Sequence, residues 1–381
     1  MASVGRAMTA MRRSDVWPVA SVWFGSRVMV FVAATYATWV LAGPASTFVG
    51  DGTQETPSLG PIAAWHQWDL DWYASIAQSG YGAPGFESNY AFLPGYPALL
   101  WVFGKLNIHP TLAGLAVAAV AGFVAAWALS RLTAREGGRG EYAVVAWVVA
   151  PAAVYLAAPY PEALFCAFAF SAWLLARQHR WMWAGLLAAA ASVVRVNGLF
   201  LAVALVVLFV VDRPRRWRDL PWLALPFAAM AGVVAYYHAR TGSWTTWLDA
   251  QSTGWHRHLS APWETWEATW NLAFHDGVTA TFAVQYRLEI LAVVGMAAVV
   301  VILLVKRWWA EATYVGLTLV ALATSNVYYS VPRSYLTLFP VWVLIGVWAT
   351  RRRWVLAAWV VVALPLMLVG VVGFVTGHWI A

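Results

Sequence analysis

Long apolar runs follow one another along the chain from Pro18 to the C-terminal region, and short connections that carry Arg separate most of them. A helix needs about 20 apolar residues to cross a bilayer, and many of these runs approach that length. The pattern therefore predicts a polytopic all-α membrane protein with about eleven spans. The predicted spans cover 18–41, 112–132, 142–158, 163–176, 182–194, 199–211, 220–238, 288–305, 312–325, 336–350 and 354–376.

Small groups of basic residues indicate the side on which each connection lies, because cytoplasmic loops carry the excess of Lys and Arg. The groups are Arg6/Arg12/Arg13, Arg131/Arg135/Arg139, Arg177/Arg180, Arg213/Arg215/Arg216/Arg218, Lys306/Arg307 and Arg351/Arg352/Arg353. If all six basic groups lie on the cytoplasmic side, the N-terminus is cytoplasmic. Two long extracytoplasmic loops then remain, at 42–106 and 239–287. The apolar stretch 94–106 cannot then cross, and it predicts a helix at the outer membrane interface.

One apolar stretch, 182–211, is interrupted by Arg195, Asn197 and Gly198. One long helix with a buried Arg is possible, but the basic groups on both sides should share the cytoplasmic face. We therefore predict two short helices that meet near the outer face. Short helices of this kind are tolerated where they line a cavity inside the protein. The outward turns at 159–162, 195–198 and 326–334 then share a face with the two long loops.

Composition supports a single membrane domain over 1–381. The chain is 62% hydrophobic and 11% charged, so its apolar surface exceeds what one soluble core would bury. The net charge of +7 comes as small groups between apolar runs, which does not suit nucleic-acid binding. Cys166 is the single cysteine, which excludes an internal disulfide and a cysteine-based metal site. The preference for Arg over Lys suggests a GC-rich bacterial genome.

The first outer loop carries a distinctive series of residues. In chain order they are Trp68-Asp69, the aromatic Trp72, Ile76-Ala77, Gly80-Tyr81 and the Pro94-Gly95-Tyr96-Pro97 stretch. This series resembles the PIG-V family of membrane mannosyltransferases. Further stretches extend the resemblance over most of the chain, at 150–153, 160–165, 195–198 and 250–255.

The resemblance implies a GT-C glycosyltransferase fold, a catalytic Asp in the first outer loop and mannose linked to a polyprenyl phosphate as the donor. Asp69 stands at the Trp-Asp position of the family pattern, and we predict that it is the catalytic base. An inverting transfer needs a base to take the proton of the acceptor hydroxyl as it attacks the anomeric carbon. The alternative role for Asp69 is the N-cap of the following helix.

Asp69-Leu70-Asp71 is also a D-x-D tripeptide, which in soluble transferases would hint at a divalent metal. The family pattern varies at Asp71, so this residue has either a supporting hydrogen bond or plain surface charge. Arg can neutralise a lipid phosphate without a metal, so we expect neither a cofactor nor a metal ion. His256 and His258 have no further ligand at suitable spacing, and metal binding is disfavoured there too.

Two arginines on the outer side are candidates for the donor phosphate. Arg333 stands at the outer end of a span, where a guanidinium could grip a phosphate as a fork or snorkel to the lipid headgroups. Arg195 is costly at membrane depth unless it is paired, which favours a functional role. Glu162 is its candidate partner, and Glu162 could equally contact the substrate.

The remaining candidate substrate-binding residues belong to the two outer loops. They are Trp68, Tyr73, Glu87, Asn89 and Gln251. The predicted activity is inverting transfer of mannose from polyprenyl-phosphate-mannose to a hydroxyl of a glycolipid or lipoglycan, at the extracytoplasmic face of a bacterial plasma membrane. The predicted partners are that donor, the acceptor and membrane lipids, without nucleic acid.

Three alternatives remain open. The donor could carry another sugar such as arabinofuranose, because a base does not distinguish sugars, and the acceptor could be a protein hydroxyl. A lipid transporter or flippase is less favoured. Transporters place ionisable residues near the midplane between inverted repeats, whereas the candidate residues here gather at the predicted outer ends of the spans.

Overall fold

The computed structural model describes residues 16–41, 60–212, 216–275 and 277–378. These ranges are helical, and their one β-type pairing is an isolated bridge between Leu259 and Ser325. The α-helices are Val16–Val40, Asp69–Ser79, Gly95–Gly104, Pro110–Arg135, Gly140–Val148, Glu162–Ala176, Trp181–Val194, Asn197–Val211, Leu225–Thr241, Thr246–Trp255, Pro262–Phe274, Ala280–Val305, Trp309–Ala323, Val331–Ser334, Phe339–Arg351 and Arg353–Val375. The 3-10 helices are Gly60–Trp65, Glu87–Ala91, Ala153–Leu156, Trp217–Ala224 and Tyr335–Thr337. The predicted N-terminal basic group, the 42–59 part of the first loop and the basic residues Arg213 and Arg215 lie outside the described residues.

The chain is a multi-pass membrane protein with the helical architecture expected of a GT-C fold, and each predicted span overlaps at least one helix. Five helices within the described ranges are long and apolar enough to cross a bilayer, namely Val16–Val40, Pro110–Arg135, Trp217–Thr241, Ala280–Val305 and Trp354–Val375. A sixth candidate is the pair Val331–Thr337 and Phe339–Arg351, which is bent by 74°. Four further apolar helices have 14 or 15 residues. They measure about 22 Å, less than a hydrocarbon core of about 30 Å, so the count of eleven crossings stays a prediction.

The predicted span 142–158 is wrong as one continuous helix. The helix ends at Val148, and the chain then turns through the 3-10 helix Ala153–Leu156. Pro151 explains the break, because proline lacks the N–H that a helix needs and disfavours a helical residue before it. The break brings Tyr155 and Tyr160 into the interior, where both side chains are buried.

The predicted interruption near Arg195 is confirmed. Helix Trp181–Val194 ends before Arg195, which has an extended backbone with φ −147° and ψ 144°. Helix Asn197–Val211 then returns alongside it. The two helices cross so closely that a Cβ on Gly198 would lie 2.3 Å from the Cα of Ser192, so only glycine fits at this point. The prediction that 94–106 forms a separate helix is confirmed by Gly95–Gly104, and its position at the interface stays a prediction.

Helix Glu162–Ala176 forms the centre of the bundle and packs between Pro110–Arg135 and Trp181–Val194. A helix that is apolar all round belongs in a core, and nearly every residue of this one is buried. Small residues on its neighbours allow close packing, as is usual between membrane helices. On helix Pro110–Arg135, a Cβ on Gly114 would lie 2.4 Å from the Cβ of Pro159, just before helix Glu162–Ala176. This packing fixes Glu162 at one end of the core.

Candidate functional site

Asp69 is the first residue of helix Asp69–Ser79, and an unusual backbone conformation precedes it. Trp68 has φ 39° and ψ −101°, which is strained for a residue with a side chain, and its ring stands edge-on to Phe374 with centroids 5.2 Å apart. Tyr160 stabilises the turn, because its hydroxyl accepts a hydrogen bond from the Asp69 N–H (3.1 Å) and donates one to the Gln67 carbonyl (2.9 Å). Asp69 does not act as the N-cap, and no side-chain cap is formed at this end.

The Asp69 carboxylate instead belongs to a chain of alternating charges. Arg333 donates from Nη1 to Asp69 Oδ2 at 3.2 Å and from Nε to Glu162 Oε1 at 2.6 Å. Arg195 donates from Nη1 to the same Glu162 oxygen. We call these four residues the ion network. They come from four separate parts of the sequence, and their two positive and two negative charges balance.

Burial differs along the ion network. The side chain of Glu162 is 0% exposed and that of Arg333 is 8%, whereas Asp69 is 14% and Arg195 is 22% exposed. The predicted pairing of Glu162 with Arg195 is confirmed. Arg333 is held inside the protein by two carboxylates, so the alternative of a headgroup-snorkelling Arg is wrong. Asp69 and Arg195 are the members that a ligand can reach.

Two tyrosines cover the guanidinium of Arg333. Its Cζ lies 4.3 Å from the ring centroid of Tyr155 and 5.0 Å from that of Tyr160. An aromatic face attracts a cation at such distances, and more so where water is excluded. Tyr155 was not predicted from the sequence, because a tyrosine in an apolar run has the appearance of a packing residue.

Glu289 holds the segment that carries Arg333. It lies in helix Ala280–Val305, its side chain is buried, and its two carboxylate oxygens accept hydrogen bonds from the N–H groups of Ser330 (2.9 Å) and Val331 (2.8 Å). Ser330 has the left-handed φ of 59° that lets the chain turn into helix Val331–Ser334. Glu289 was missed by the sequence analysis, although an acidic residue inside an apolar span is itself a signal of function.

Several buried polar atoms around the ion network have no hydrogen-bond partner among the described residues. They are Glu162 Oε2, Arg195 Nε and the hydroxyl of Tyr155. Buried polar groups are normally satisfied, and each exception calls for an explanation. Of these three, only Arg195 has a partly exposed side chain (22%), whereas Glu162 and Tyr155 are fully buried.

The two carboxylates of the D-x-D tripeptide have separate partners. Asp71 accepts from His66 Nε2 at 2.6 Å, and His66 Nδ1 is bonded to Thr111 Oγ1 at 2.8 Å. Asp69 is paired with Arg333 instead. No group of three or more His, Cys, Asp or Glu side chains in the described ranges could hold a metal ion. The two carboxylates therefore have different protein partners, and metal independence stays a prediction.

Two further predicted loop residues, Tyr73 and Trp68, lie beside the ion network. Tyr73 is buried against Phe92 and Tyr96, with ring centroids 4.8 and 4.9 Å away. Burial raises the pKa of Tyr73, and the negative charge of Asp69 raises it further. Tyr73 therefore stays a neutral phenol near the site. Trp68 supports the site through the strained turn described above.

Glu87, Asn89 and Gln251 hold the two outer loops in shape. Glu87 is exposed and accepts from the Gly85 N–H at 2.9 Å, and backbone hydrogen bonds lower its pKa. Asn89 is fully buried between the Gly82 N–H and the Gly80 carbonyl. Gln251 and Trp247 both donate to the Ala91 carbonyl, at 3.2 and 3.1 Å, which joins the second loop to the first. A substrate contact for these three residues stays a prediction.

Comparison with known proteins identifies related sequences. Residues 58–215 match the family model described as Mannosyltransferase (PIG-V). GPI alpha-1,6-mannosyltransferase 2 of Cricetulus griseus is 34% identical over 157 residues, which cover 37% of this chain and 30% of that protein. The Homo sapiens protein of the same name is 33% identical over 154 residues, with 37% and 30% covered. GPI mannosyltransferase 2 of Chaetomium globosum is 30% identical over 158 residues, with 36% and 32% covered. The chain thus spans about 30% of the length of the curated relatives it matches. Asp69, Glu162 and Arg195 lie in the matched segment, and Arg333 lies beyond it.

Proposed function

We propose that this chain, a PIG-V-like membrane protein, is a mannosyltransferase that moves mannose from a polyprenyl-phosphate carrier to a hydroxyl of a glycolipid or lipoglycan. The observation that carries the proposal is the ion pair between Asp69, in the family-matched segment, and Arg333, which lies 264 positions further along the chain. We further propose that the reaction takes place at the extracytoplasmic face of a bacterial plasma membrane, with the N-terminus in the cytoplasm.

In this reaction Asp69 is the general base. One carboxylate oxygen takes the proton of the acceptor hydroxyl while the acceptor oxygen attacks C1 of mannose. The bond from C1 to the phosphate oxygen breaks on the opposite face of the sugar, and its electron pair leaves with the polyprenyl phosphate, so the configuration inverts. The partial exposure of Asp69, 14% of its side chain, supports access by an acceptor.

Arg333 and Arg195 remain candidates for the donor phosphate, but both guanidiniums are already paired with carboxylates. The first role that we assign to Arg333 is therefore to hold the Asp69 carboxylate in one orientation. Glu162 in turn holds Arg333. Fixing a base to within a fraction of an ångström is a recognised source of rate enhancement. A substrate contact of Glu162 stays a prediction, because its side chain is 0% exposed.

The test is transfer of radiolabelled mannose from synthetic polyprenyl-phosphate-mannose in vesicles that contain the purified protein. Asp69→Asn keeps the size of the side chain and removes the base, so the rate should fall at least about 100-fold, the lower bound usual for general-base catalysis. Asp249→Asn is the matched control, because Asp249 bonds only to Ser243 and Thr245 among the described residues of the second outer loop. Equal rates for the two variants would remove the catalytic role of Asp69.

The same vesicles distinguish the alternative substrates. Polyprenyl-phosphate-arabinofuranose replaces the mannose donor in a parallel reaction, and a Ser/Thr-containing peptide replaces the lipid extract as acceptor. Transfer of mannose to lipid alone supports the proposal. Lipid analysis of a deletion strain then identifies the acceptor, as the precursor that lacks one hexose.

A further inference from the structure

The balanced charges of the ion network leave a problem for the proposed donor. A sugar linked to a polyprenyl phosphate carries one negative charge on its phosphodiester, and the departing monoester carries about two. The carboxylates of Asp69 and Glu162 already neutralise the positive charges of Arg333 and Arg195. Burying a further phosphate beside a neutral network is costly unless another cation is present.

Arg257 is a cation placed beside the ion network but not within it. Its Cζ lies 5.5 Å from the ring centroid of Tyr329, four residues before Arg333. Burial lowers the pKa of the Arg257 guanidinium, while the negative charge of Asp69 acts in the opposite direction. The positive charges of Arg333 and Arg195 lower the pKa of Arg257 as burial does, so Arg257 senses both signs of charge in the ion network. Buried Glu289 also senses the charge of Arg257. Across the part of the chain that the structure describes, no carboxylate lies within ion-pair distance of Arg257.

Hydrogen bonds fix the backbone around Arg257 beside the chain that leads into Tyr329 and Arg333. The Arg257 N–H donates to the Gln251 carbonyl at 3.1 Å, directly after His256 turns the chain with a φ of 52°. Two residues on, Leu259 pairs with Ser325, and the Ser260 N–H donates to the Thr324 carbonyl at 3.0 Å. These contacts dock the loop against the chain that leads into Tyr329 and Arg333. Arg257 is half-buried as a residue, and these backbone contacts fix the position from which its side chain extends.

We propose that Arg257 is the residue that binds the phosphate of the lipid-linked donor. This inference rests on the proposed function. Arg257 provides the positive charge that the ion network lacks, and its guanidinium can donate two parallel hydrogen bonds to phosphate oxygens. The charge on the phosphate increases as the bond to C1 breaks, so the interaction strengthens toward the transition state. Asp69, held by Arg333, then does not have to share its partner with the phosphate and can act as the base.

Binding of polyprenyl monophosphate, the product without its sugar, tests this assignment without requiring turnover. The protein is purified in detergent, and quenching of tryptophan fluorescence is followed as the lipid is added. We expect the Arg257→Gln variant to bind about tenfold more weakly or worse, as expected for loss of charge-assisted hydrogen bonds. Arg257→Lys retains the charge without the planar fork and should give an intermediate affinity.

Arg287→Gln is the matched control. Arg287 also lies over an aromatic ring, with its Cζ 4.9 Å from the centroid of Phe274, but it is exposed and bonds to the Ala273 carbonyl. Its loss changes the net charge by the same amount and should leave the affinity unchanged. Equal affinities of wild-type protein and Arg257→Gln, or equal losses in Arg257→Gln and Arg287→Gln, would overturn the assignment, as would a wild-type protein that does not bind the lipid.

Donor kinetics separate this inference from the proposed function. In the vesicle assay, Arg257→Gln should raise the apparent KM for polyprenyl-phosphate-mannose about tenfold and leave the KM for the acceptor unchanged. If wild-type protein transfers mannose while Arg257→Gln shows an unchanged donor KM, the assignment of Arg257 fails and the proposed function stands. If wild-type protein binds polyprenyl phosphate through Arg257 but transfers no sugar, the proposed function fails.

Discussion

Replacing Glu162 by Gln is the most informative perturbation of the ion network. One oxygen of Glu162 accepts hydrogen bonds from both Arg333 and Arg195. The side chain of Glu162 is completely enclosed, and that of Arg333 is 8% exposed. Gln has nearly the same shape but no charge. The substitution therefore leaves two neighbouring guanidiniums with Asp69 as their single carboxylate.

The expected cost follows from this burial. Removing one partner of a buried ion pair destabilises a protein by about 3–5 kcal/mol, because the other charge is left uncompensated. Gln still accepts a hydrogen bond, and Arg195 keeps some contact with solvent, so we expect the lower end of this range. At roughly 2 °C for each kcal/mol in a large domain, the Tm of Glu162→Gln should fall by about 6 °C.

Arg195→Met provides the comparison. Without Arg195, Glu162 remains paired with Arg333 at 2.6 Å, so no buried charge is left alone and the expected loss is about 1–2 kcal/mol. Adding Arg195→Met to Glu162→Gln removes one of the stranded cations and should recover part of the stability, a non-additivity expected for residues in contact. The measurement is the Tm of each detergent-purified variant by tryptophan fluorescence. A Tm of Glu162→Gln equal to that of wild-type protein, or no lower than that of Arg195→Met, would refute this account of the network.

Two further predictions concern the first outer loop. Tyr160→Phe removes the hydroxyl that bonds to the Asp69 N–H and the Gln67 carbonyl. We expect about tenfold slower mannose transfer with normal donor binding, because displacing the base lowers the rate rather than the affinity. Unchanged turnover would contradict the positioning role of Tyr160. Asp71→Asn should slow mannose transfer less than tenfold, because Asp71 is bonded to His66 and lies outside the ion network. A fall in rate as large as that of Asp69→Asn, or inhibition by EDTA, would instead indicate that the two carboxylates bind a catalytic metal ion.

The helices were predictable because their signal is local. Apolar runs marked the helical segments, and Arg195 with Gly198 marked the break that the structure confirms. The prediction of one continuous span over 142–158 was wrong because it relied on the average hydrophobicity of the segment and ignored the local effect of Pro151. Proline was the available signal, since it removes a backbone donor regardless of how apolar its neighbours are.

The ion network was predictable only in part. Glu162 and Arg195 are both charged and both stand at interruptions of apolar runs, so a shared side of the membrane was enough to suggest their pairing. The contact of Asp69 with Arg333 depends on how distant helices pack, which a single sequence does not encode in any local pattern. For Asp69 the sequence left the helix N-cap open as an alternative, and the structure removes it through the position of Arg333.

In the proposed reaction, Arg333 holds the base Asp69 and Arg257 binds the leaving phosphate, and the charges of the site connect these two roles. In the proposed reaction, the ion network and Arg257 together carry +1, with Glu289 outside this sum, and the donor phosphodiester brings these groups to zero. During transfer Asp69 gains a proton and loses its charge, while the phosphate gains a second negative charge. The total therefore stays at zero. Neutralising Asp69 releases the Nη1 group of Arg333, 3.2 Å away, at the moment when the phosphate needs further compensation. If the proposed reaction holds, the proton transfer and the departure of the lipid phosphate are coupled through the guanidinium of Arg333.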